Sequence, residues 1–188
     1  PWFLVGYYVL VGLSVLRAPW RLSPARLLLC WAAVLTVWLW SLVARGAWES
    51  VQRHFRELGH DTQAKDFDVI GVGDMAGDVF GNGMILSEHI RLIGAFNHMH
   101  IFCDPNPDPV SSFKERERMF KEVAGWDAYD LKKLSKGGRI YLRSEKSLQL
   151  TPEIRARFDI DKEKAAPSDL IQAMLRARAD LLYFGGIG

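Results

Sequence analysis

Cysteine is scarce in this sequence, and the two cysteines that are present stand far apart. Among 188 residues there are only Cys30 and Cys103. Two such distant thiols provide neither a disulfide framework nor a cysteine-based metal site. The composition therefore fits a reducing compartment, and we expect a cytoplasmic protein with no bound metal.

Acidic residues and lysine are absent from the first 43 residues, where the charged side chains are Arg17, Arg21 and Arg26. The other 145 residues hold 21 Lys and Arg against 22 Asp and Glu. The excess of positive charge therefore belongs to the front of the chain, and the rest is close to neutral. A nucleic-acid-binding surface needs clustered basic residues on the folded part, so nucleic acid is not an expected partner.

Two uncharged runs, residues 2–16 and 27–44, flank a basic turn that contains two prolines. The second run is about long enough to cross a bilayer, and the positive-inside rule would place the turn in the cytoplasm. This pattern predicts an apolar helical hairpin over residues 1–43, with membrane association as one interpretation. A buried apolar hairpin and a segment of foreign origin are the alternatives.

The remaining residues, 44–188, are enough for one domain with a sizeable core. An amphipathic helix carries Trp48, Val51, Phe55 and Leu58 on its apolar face, and Gly59 is expected to end it. Further helices are predicted at 77–90 and, with a solvated charged face, at 113–123. Two more are expected to start at Pro152 and Pro167, and strands are predicted at 67–70, 99–103, 139–142 and 180–184. This alternation is typical of an α/β fold with a mostly parallel sheet and helices on both faces.

The segment Gly71-Val72-Gly73-Asp74-Met75-Ala76 joins the first predicted strand to the helix over 77–90. Strand, glycine turn and helix in this order are typical of a dinucleotide-binding site, although glycine turns also serve plain connections. Gly71 permits the sharp turn, Gly73 lacks the Cβ that would hold a pyrophosphate away, and Ala76 permits close packing of helix on strand. Asp74 either caps the following amides, which we favour, or contacts a ribose hydroxyl.

Asp104 follows the predicted strand 99–103 and is the candidate ribose ligand. An acid at the end of the second strand accepts hydrogen bonds from the ribose of NAD and repels the extra phosphate of NADP. The spacing from Gly71 is 33 residues, longer than the usual distance of about 20. An irregular insertion at 93–98 would absorb the excess. The alternative is that Asp104 only begins a proline-rigidified turn.

The other candidate positions are weaker. Gly185 and Gly186 follow the strand 180–184, at the end where parallel sheets bind ligands, and we predict a nicotinamide-side contact there. His98 and His100 would share one face of a strand, but no third metal ligand stands at a recognisable spacing. Lys136 could reach a phosphate or substrate, although a surface loop explains it more simply.

From residue 44 to the end, the chain resembles the large bacterial NAD-specific glutamate dehydrogenases. Several separated motifs in the same order make this resemblance far more specific than one glycine turn. The motifs are Ala44-Arg45-Gly46-Ala47-Trp48-Glu49-Ser50-Val51, the stretch 68–84 around the glycine turn, Asp104-Pro105-Asn106-Pro107-Asp108, Ser135-Lys136-Gly137-Gly138, and Asp180-Leu181-Leu182 with Gly185-Gly186-Ile187-Gly188.

The resemblance implies a Rossmann-like NAD-binding domain over residues 44–188. It implies that the parent protein, expected to be a homo-oligomer in glutamate catabolism, converts L-glutamate to 2-oxoglutarate and ammonia while reducing NAD. Family members carry the catalytic lysine and carboxylate upstream, in a substrate domain, whereas residues 1–43 contain no lysine, aspartate or glutamate. We therefore assign no catalytic residue.

Departures from the family pattern concern Val43, where the family usually has threonine, and Phe184, where it usually has asparagine. Both bear on contacts to cofactor or substrate. The chain also stops inside a motif, which leads us to expect a C-terminally truncated fragment that is inactive alone. The alternative function is a membrane-attached, non-catalytic nucleotide-binding or interaction module.

Overall fold

The computed structural model describes Trp31 and residues 46–185. Apart from Trp31, the predicted front hairpin therefore lies outside the described residues, and so does Gly186. In those described ranges, no helix combines the length and the apolar character that crossing a membrane requires. Residues 46–185 all belong to one unit, Trp40–Gly188.

Residues 46–57 are helical and are named α1. Trp48 and Phe55 are buried, as the periodicity predicts. Gly59 ends the helix with a φ of 72°, and the amide of His60 donates to the carbonyl of Phe55 at 2.9 Å. The prediction for Gly59 is confirmed. The prediction for Leu58 is wrong, because this side chain is 80% exposed beyond the last helical turn.

Strands and helices follow α1 along the chain. In chain order the elements are β1 (Phe67–Val72), α2 (Asp78–Gly83), β2 (Ile90–Phe96), β3 (His100–Cys103), α3 (Pro109–Glu122), β4 (Arg139–Leu142), β5 (Leu148–Gln149), α4 (Pro152–Phe158), β6 (Lys164–Ala165), α5 (Pro167–Arg176) and β7 (Leu181–Phe184). Two short 3-10 turns, Trp126–Ala128 and Leu131–Lys133, lie between α3 and β4.

The helix starts predicted at Pro152 and Pro167 are confirmed. Proline suits the first turn of a helix because its missing N–H would have no partner there. Thr151 precedes α4 and accepts a hydrogen bond from the amide of Ile154. This cap satisfies one of the amides that a helix start leaves without a partner.

Five strands form one sheet in the order β4-β3-β2-β1-β7. β1 pairs in parallel with both β2 and β7, whereas β3 runs antiparallel to β2 and β4. Four strands therefore point one way and β3 opposes them, which confirms a mixed, mostly parallel α/β sheet. β5 and β6 form a separate antiparallel pair.

The strand β2 is the largest departure from the sequence prediction. The helix predicted at 77–90 ends at Gly83, and the insertion predicted at 93–98 is largely strand. All residues of β2 except Arg91 are buried. A strand that is buried on both faces lacks the alternation of apolar and polar residues, so periodicity does not identify it as a strand.

Helices cover both faces of the sheet. One apolar cluster joins α1, α2 and α3 to strand residues that include Phe67 and Val69. A second cluster joins α4 and α5 to the alternate positions, among them Ile70 and Val72. β7 was predicted as a buried parallel strand, and its parallel pairing is confirmed. Its burial is not, because Phe184 remains 66% exposed.

The charged face predicted for the 113–123 helix is only partly solvated. Arg116 on α3 has no exposed surface. Its guanidinium donates to the carbonyls of Met84 at 2.9 Å and Ile90 at 3.2 Å, and to the hydroxyl of Ser112 at 2.5 Å. A buried cation thus ties α3 to the end of α2 and the start of β2, and burial lowers the pKa of Arg116 to about 10.

Candidate functional site

The glycine turn lies at the carboxyl end of β1, in the middle of the parallel part of the sheet. Gly73 has a φ of 145°, a backbone conformation that residues other than glycine rarely adopt. Its amide donates to the carbonyl of Phe96 at 2.9 Å, at the end of β2. Its carbonyl accepts from Nε1 of Trp126, also at 2.9 Å. Two distant segments therefore fix the peptide groups on either side of Gly73.

Phe80 on α2 explains why glycine is needed at several of these positions. A Cβ on Gly71 would lie 2.4 Å from the Phe80 ring, and one on Gly73 would lie 2.8 Å from the same side chain. A Cβ on Gly185 would come within 2.3 Å of the Phe80 Cβ. The room that Gly73 leaves is filled by Phe80. The sequence prediction that this missing Cβ makes space for a pyrophosphate is therefore not supported.

Asp74 accepts hydrogen bonds from amides of the turn, but α2 itself has no side-chain cap at its N-cap residue, Gly77. Its Oδ1 accepts from the amides of Ala76 at 2.8 Å and Gly77 at 3.1 Å, just ahead of α2. Its Oδ2 accepts from Nδ2 of Asn97 at 2.8 Å. Three donors therefore hold this carboxylate, which offsets its negative charge at the turn.

The next two residues of the motif differ sharply in exposure. Met75 has no exposed surface and belongs to the core, so its side chain is not placed to contact a ligand. Ala76 is exposed, and the prediction that it packs helix on strand is wrong. Close packing of α2 comes instead from Gly81, where a Cβ would meet Phe120, and Gly83, where it would meet Tyr183.

Asn97 directly follows β2 and was missed by the sequence analysis. It is buried, and its Oδ1 accepts from the amides of Met99 at 2.8 Å and His100 at 2.6 Å. Through Nδ2 it reaches Asp74, and its carbonyl accepts from Arg143 at 2.7 Å. Asn97 thus links the ends of β1 and β2 to the residue that follows β4. The signal that could have found it was the apolar run 90–96 read as a strand.

Asp104 is not brought to the glycine turn. It follows β3, which runs antiparallel to β2, so it lies toward the amino end of β2. Its amide donates to the carbonyl of Ile93, and nearby Asn106 accepts from Arg91 at the start of β2. Asp104 therefore lies beside the middle of β2, away from the carboxyl end where a ribose bound at the glycine turn would lie. We therefore do not retain Asp104 as the ribose ligand.

The surroundings of Asp104 indicate a structural role. The residue is fully buried, and its Oδ1 accepts from the amide of Ser135 at 3.1 Å and from the Ser135 hydroxyl. Burial raises the pKa of the Asp104 carboxyl above its ordinary value, and these hydrogen bonds oppose the shift only in part. Two of the sequence motifs, one beginning at Asp104 and one at Ser135, therefore meet in the fold.

Gly185 reaches the site from the other side of β1. It directly follows β7, and its amide donates to the carbonyl of Val72 at 2.8 Å. Gly73 and Gly185 both touch Phe80 and stand at the carboxyl ends of adjacent parallel strands. The structure therefore brings Gly71, Gly73, Asp74 and Gly185 together, and adds Asn97 and Trp126.

The other charged candidates lie elsewhere. Lys136 is almost fully exposed and pairs with Glu153 at 3.3 Å, so it forms part of a surface loop. His98 is exposed and His100 is buried. Within residues 46–185, no group of three or more His, Cys, Asp or Glu side chains is arranged to hold a metal ion.

Comparison with known proteins identifies the family of the chain. Residues 39–188 match the family described as bacterial NAD-glutamate dehydrogenase, catalytic domain. The chain belongs to this family. The resemblance inferred from the motifs around the glycine turn and Ser135 is thereby confirmed.

Three relatives carry the name NAD-specific glutamate dehydrogenase. That of Pseudomonas aeruginosa is 58% identical over 148 residues, which cover 78% of this chain and 9% of the relative. That of Halomonas elongata is 54% identical over 149 residues, covering 79% and 9%. That of Mycobacterium tuberculosis is 54% identical over 154 residues, covering 78% and 10%. The chain thus spans about a tenth of the length of these relatives.

Proposed function

We propose that residues 44–188 form the Rossmann-like, NAD-binding part of an NAD-dependent glutamate dehydrogenase. The parent enzyme would convert L-glutamate, water and NAD to 2-oxoglutarate, ammonia and NADH. The observation that carries the proposal is the position of the glycine turn in the sheet. The family membership suggests NAD as the ligand at this position.

The glycine turn stands where the strand order reverses. From β1 the chain passes through α2 to β2 on one side, and it returns later to β7 on the other side of β1. In open α/β sheets, ligands bind outside the carboxyl ends of the strands at such a reversal. Gly73 follows β1 and Gly185 follows β7, so both flank that crevice.

Two features of the turn support a dinucleotide site at this end of the sheet. The Asp74 carboxylate, which would otherwise repel a pyrophosphate, is held by three donors. Ala76 is exposed beside it and leaves the surface of the turn open. We propose that the backbone around Gly73 and Asp74 holds the pyrophosphate and that Gly185 borders the nicotinamide.

The chemistry divides between this domain and the rest of the enzyme. NAD supplies a nicotinamide ring that accepts the hydride from the substrate carbon. The described residues bind and orient the dinucleotide, and the proposed catalytic lysine and carboxylate belong to a substrate domain outside this chain. Hydride transfer needs both parts, because glutamate must be held at near-attack distance from the nicotinamide.

The binding site can be tested at Ala76, where a new side chain meets solvent instead of the core. Ala76→Glu adds a negative charge at the turn, and Ala76→Gln is its neutral match in size. We expect Ala76→Glu to bind NAD at least about fivefold to tenfold more weakly than Ala76→Gln, because a like charge about 4 Å from a phosphate costs about 1 kcal/mol even in bulk water. Calorimetric titration measures both affinities, and equal values would place the pyrophosphate elsewhere.

Catalysis by the parent enzyme gives a second test. We expect no glutamate-dependent formation of NADH by the 188-residue chain, followed by absorbance at saturating glutamate and NAD. Activity should arise only when the chain is joined to the upstream substrate domain of its parent. Turnover by the chain alone would show that the catalytic groups lie within these 188 residues.

A further inference from the structure

Trp126 lies beneath the glycine turn, 53 residues away in sequence. The side chain has no exposed surface. Its ring stacks on Phe102 with centroids 4.7 Å apart and meets Phe80 edge-on at 6.0 Å. Its only polar atom, Nε1, donates to the carbonyl of Gly73 at 2.9 Å. The aromatic packing fixes the indole, and the indole in turn fixes that carbonyl.

The orientation of the Gly73 carbonyl determines the orientation of the next amide. A trans peptide group is planar, and its C=O and N–H point in opposite directions. No cis peptide occurs in the described part of the chain. Because the Gly73 carbonyl faces buried Trp126, the amide N–H of Asp74 must point away from the core. Among residues 46–185, no backbone or side-chain acceptor is bonded to this amide.

Among residues 73–77, three amides are bonded within the protein, and that of Met75, like that of Asp74, has no acceptor among residues 46–185. Those of Ala76 and Gly77 donate to the Asp74 carboxylate, and that of Gly73 donates to Phe96. The N–H of Asp74 is therefore an outward donor at the carboxyl end of β1. Glycine at position 73 lets the peptide take this orientation, since its φ of 145° is unfavourable for other residues.

We propose that Trp126 is a positioning residue for pyrophosphate binding, acting through the Gly73–Asp74 peptide. This inference rests on the proposed function. Trp126 does not touch the ligand; its indole N–H holds the peptide so that the Asp74 amide donates to a phosphate oxygen. Without that hydrogen bond the peptide can rotate, and the outward amide is no longer fixed.

The test uses the full chain and the variant Trp126→Phe, which keeps an aromatic ring but lacks the donor. The probes are NAD and ADP-ribose, which contain a pyrophosphate, and adenosine, which does not. We expect Trp126→Phe to weaken NAD and ADP-ribose about tenfold, the effect of one hydrogen bond, and to leave adenosine unchanged. Trp48→Phe is the matched control, because Trp48 is also buried but packs against Phe67 at the other end of β1.

The outcomes separate the positioning role from a structural role and from the proposed function. Equal NAD affinity in Trp126→Phe and wild type would overturn the positioning role, and so would an equal loss of affinity for adenosine. No binding of NAD by the wild type would instead overturn the proposed function.

A measurement without substitution keeps the inference testable if Trp126→Phe does not fold. In the wild-type chain, the ¹⁵N–¹H resonance of the Asp74 amide should shift on addition of NAD and of inorganic pyrophosphate. An amide resonance of Asp74 that stays unchanged at saturating NAD would overturn the inference.

Discussion

The dependence of the glycine turn on Phe80 can be measured by a double-mutant cycle. Phe80 is fully buried, so Phe80→Ala should destabilise the protein by about 3–5 kcal/mol. A Cβ on Gly71 would lie 2.4 and 2.5 Å from two atoms of the Phe80 ring. Gly71→Ala in the wild type should therefore cost about 1–3 kcal/mol through overpacking.

The two effects should not add. Without the Phe80 ring, the nearest neighbour of the new Cβ is that of Ala95 at 3.5 Å, an ordinary contact. Gly71→Ala should then stabilise the Phe80→Ala protein by about 0.5–1 kcal/mol, because alanine loses less backbone entropy than glycine in a strand. The expected interaction energy is about −1.5 to −4 kcal/mol, as large as or larger than is usual for residues in direct contact.

Urea denaturation followed by circular dichroism gives the four free energies of unfolding. The control is Gly94→Ala, whose Cβ would meet the terminal Cε of Met174 in the other apolar cluster. Combined with Phe80→Ala, this change should be additive within about 0.5 kcal/mol. Additivity of Gly71→Ala and Phe80→Ala to the same precision would refute the explanation given for Gly71.

Three further predictions concern other regions. Burial raises the folded-state pKa of Asp104 above 3.8. The folded state therefore keeps this proton to higher pH than the unfolded state does. As pH rises from about 4, Asp104 consequently lowers the stability of the wild type. Asp104→Asn does not ionise, so denaturation at a series of pH values should show its stability relative to wild type increasing with pH. Arg116→Met leaves the carbonyls of Met84 and Ile90 unpaired and should cost about 2–4 kcal/mol, against less than about 0.5 for exposed Lys121→Met. Flotation with liposomes should carry the full chain but not residues 44–188, and an aqueous, monomeric full chain would contradict the predicted front hairpin.

Local signals predicted most of the elements. The proline-initiated starts of α4 and α5, the Gly59 cap and the strand β4 all depend on residues close in sequence, and all are confirmed. The hydrogen bonds that Asp74 accepts just ahead of α2 are also local, because Asp74 and the two amides are at most three residues apart.

Long-range features could not be predicted. The sharp reversal between β2 and β3 turns β3 antiparallel, which carries Asp104 away from the carboxyl end of β2, where the glycine turn lies. No local pattern distinguishes this from a parallel arrangement. The roles of Phe80 and Trp126 depend on contacts with residues far away in sequence, Gly185 and Gly73 respectively. Side chains of this kind look like ordinary core residues in a sequence.

Because β1 pairs with β7, this part of the sheet forms only after both strands have been synthesised on the ribosome. Asp68 and Asp180, which join the starts of these strands, are 112 residues apart, so β7 emerges roughly 5–20 s after β1 at ordinary rates of translation. During that interval the side of β1 that faces β7 has no native partner. An open, apolar strand edge is a template for aggregation, so this side of β1 is exposed to mispairing until β7 arrives.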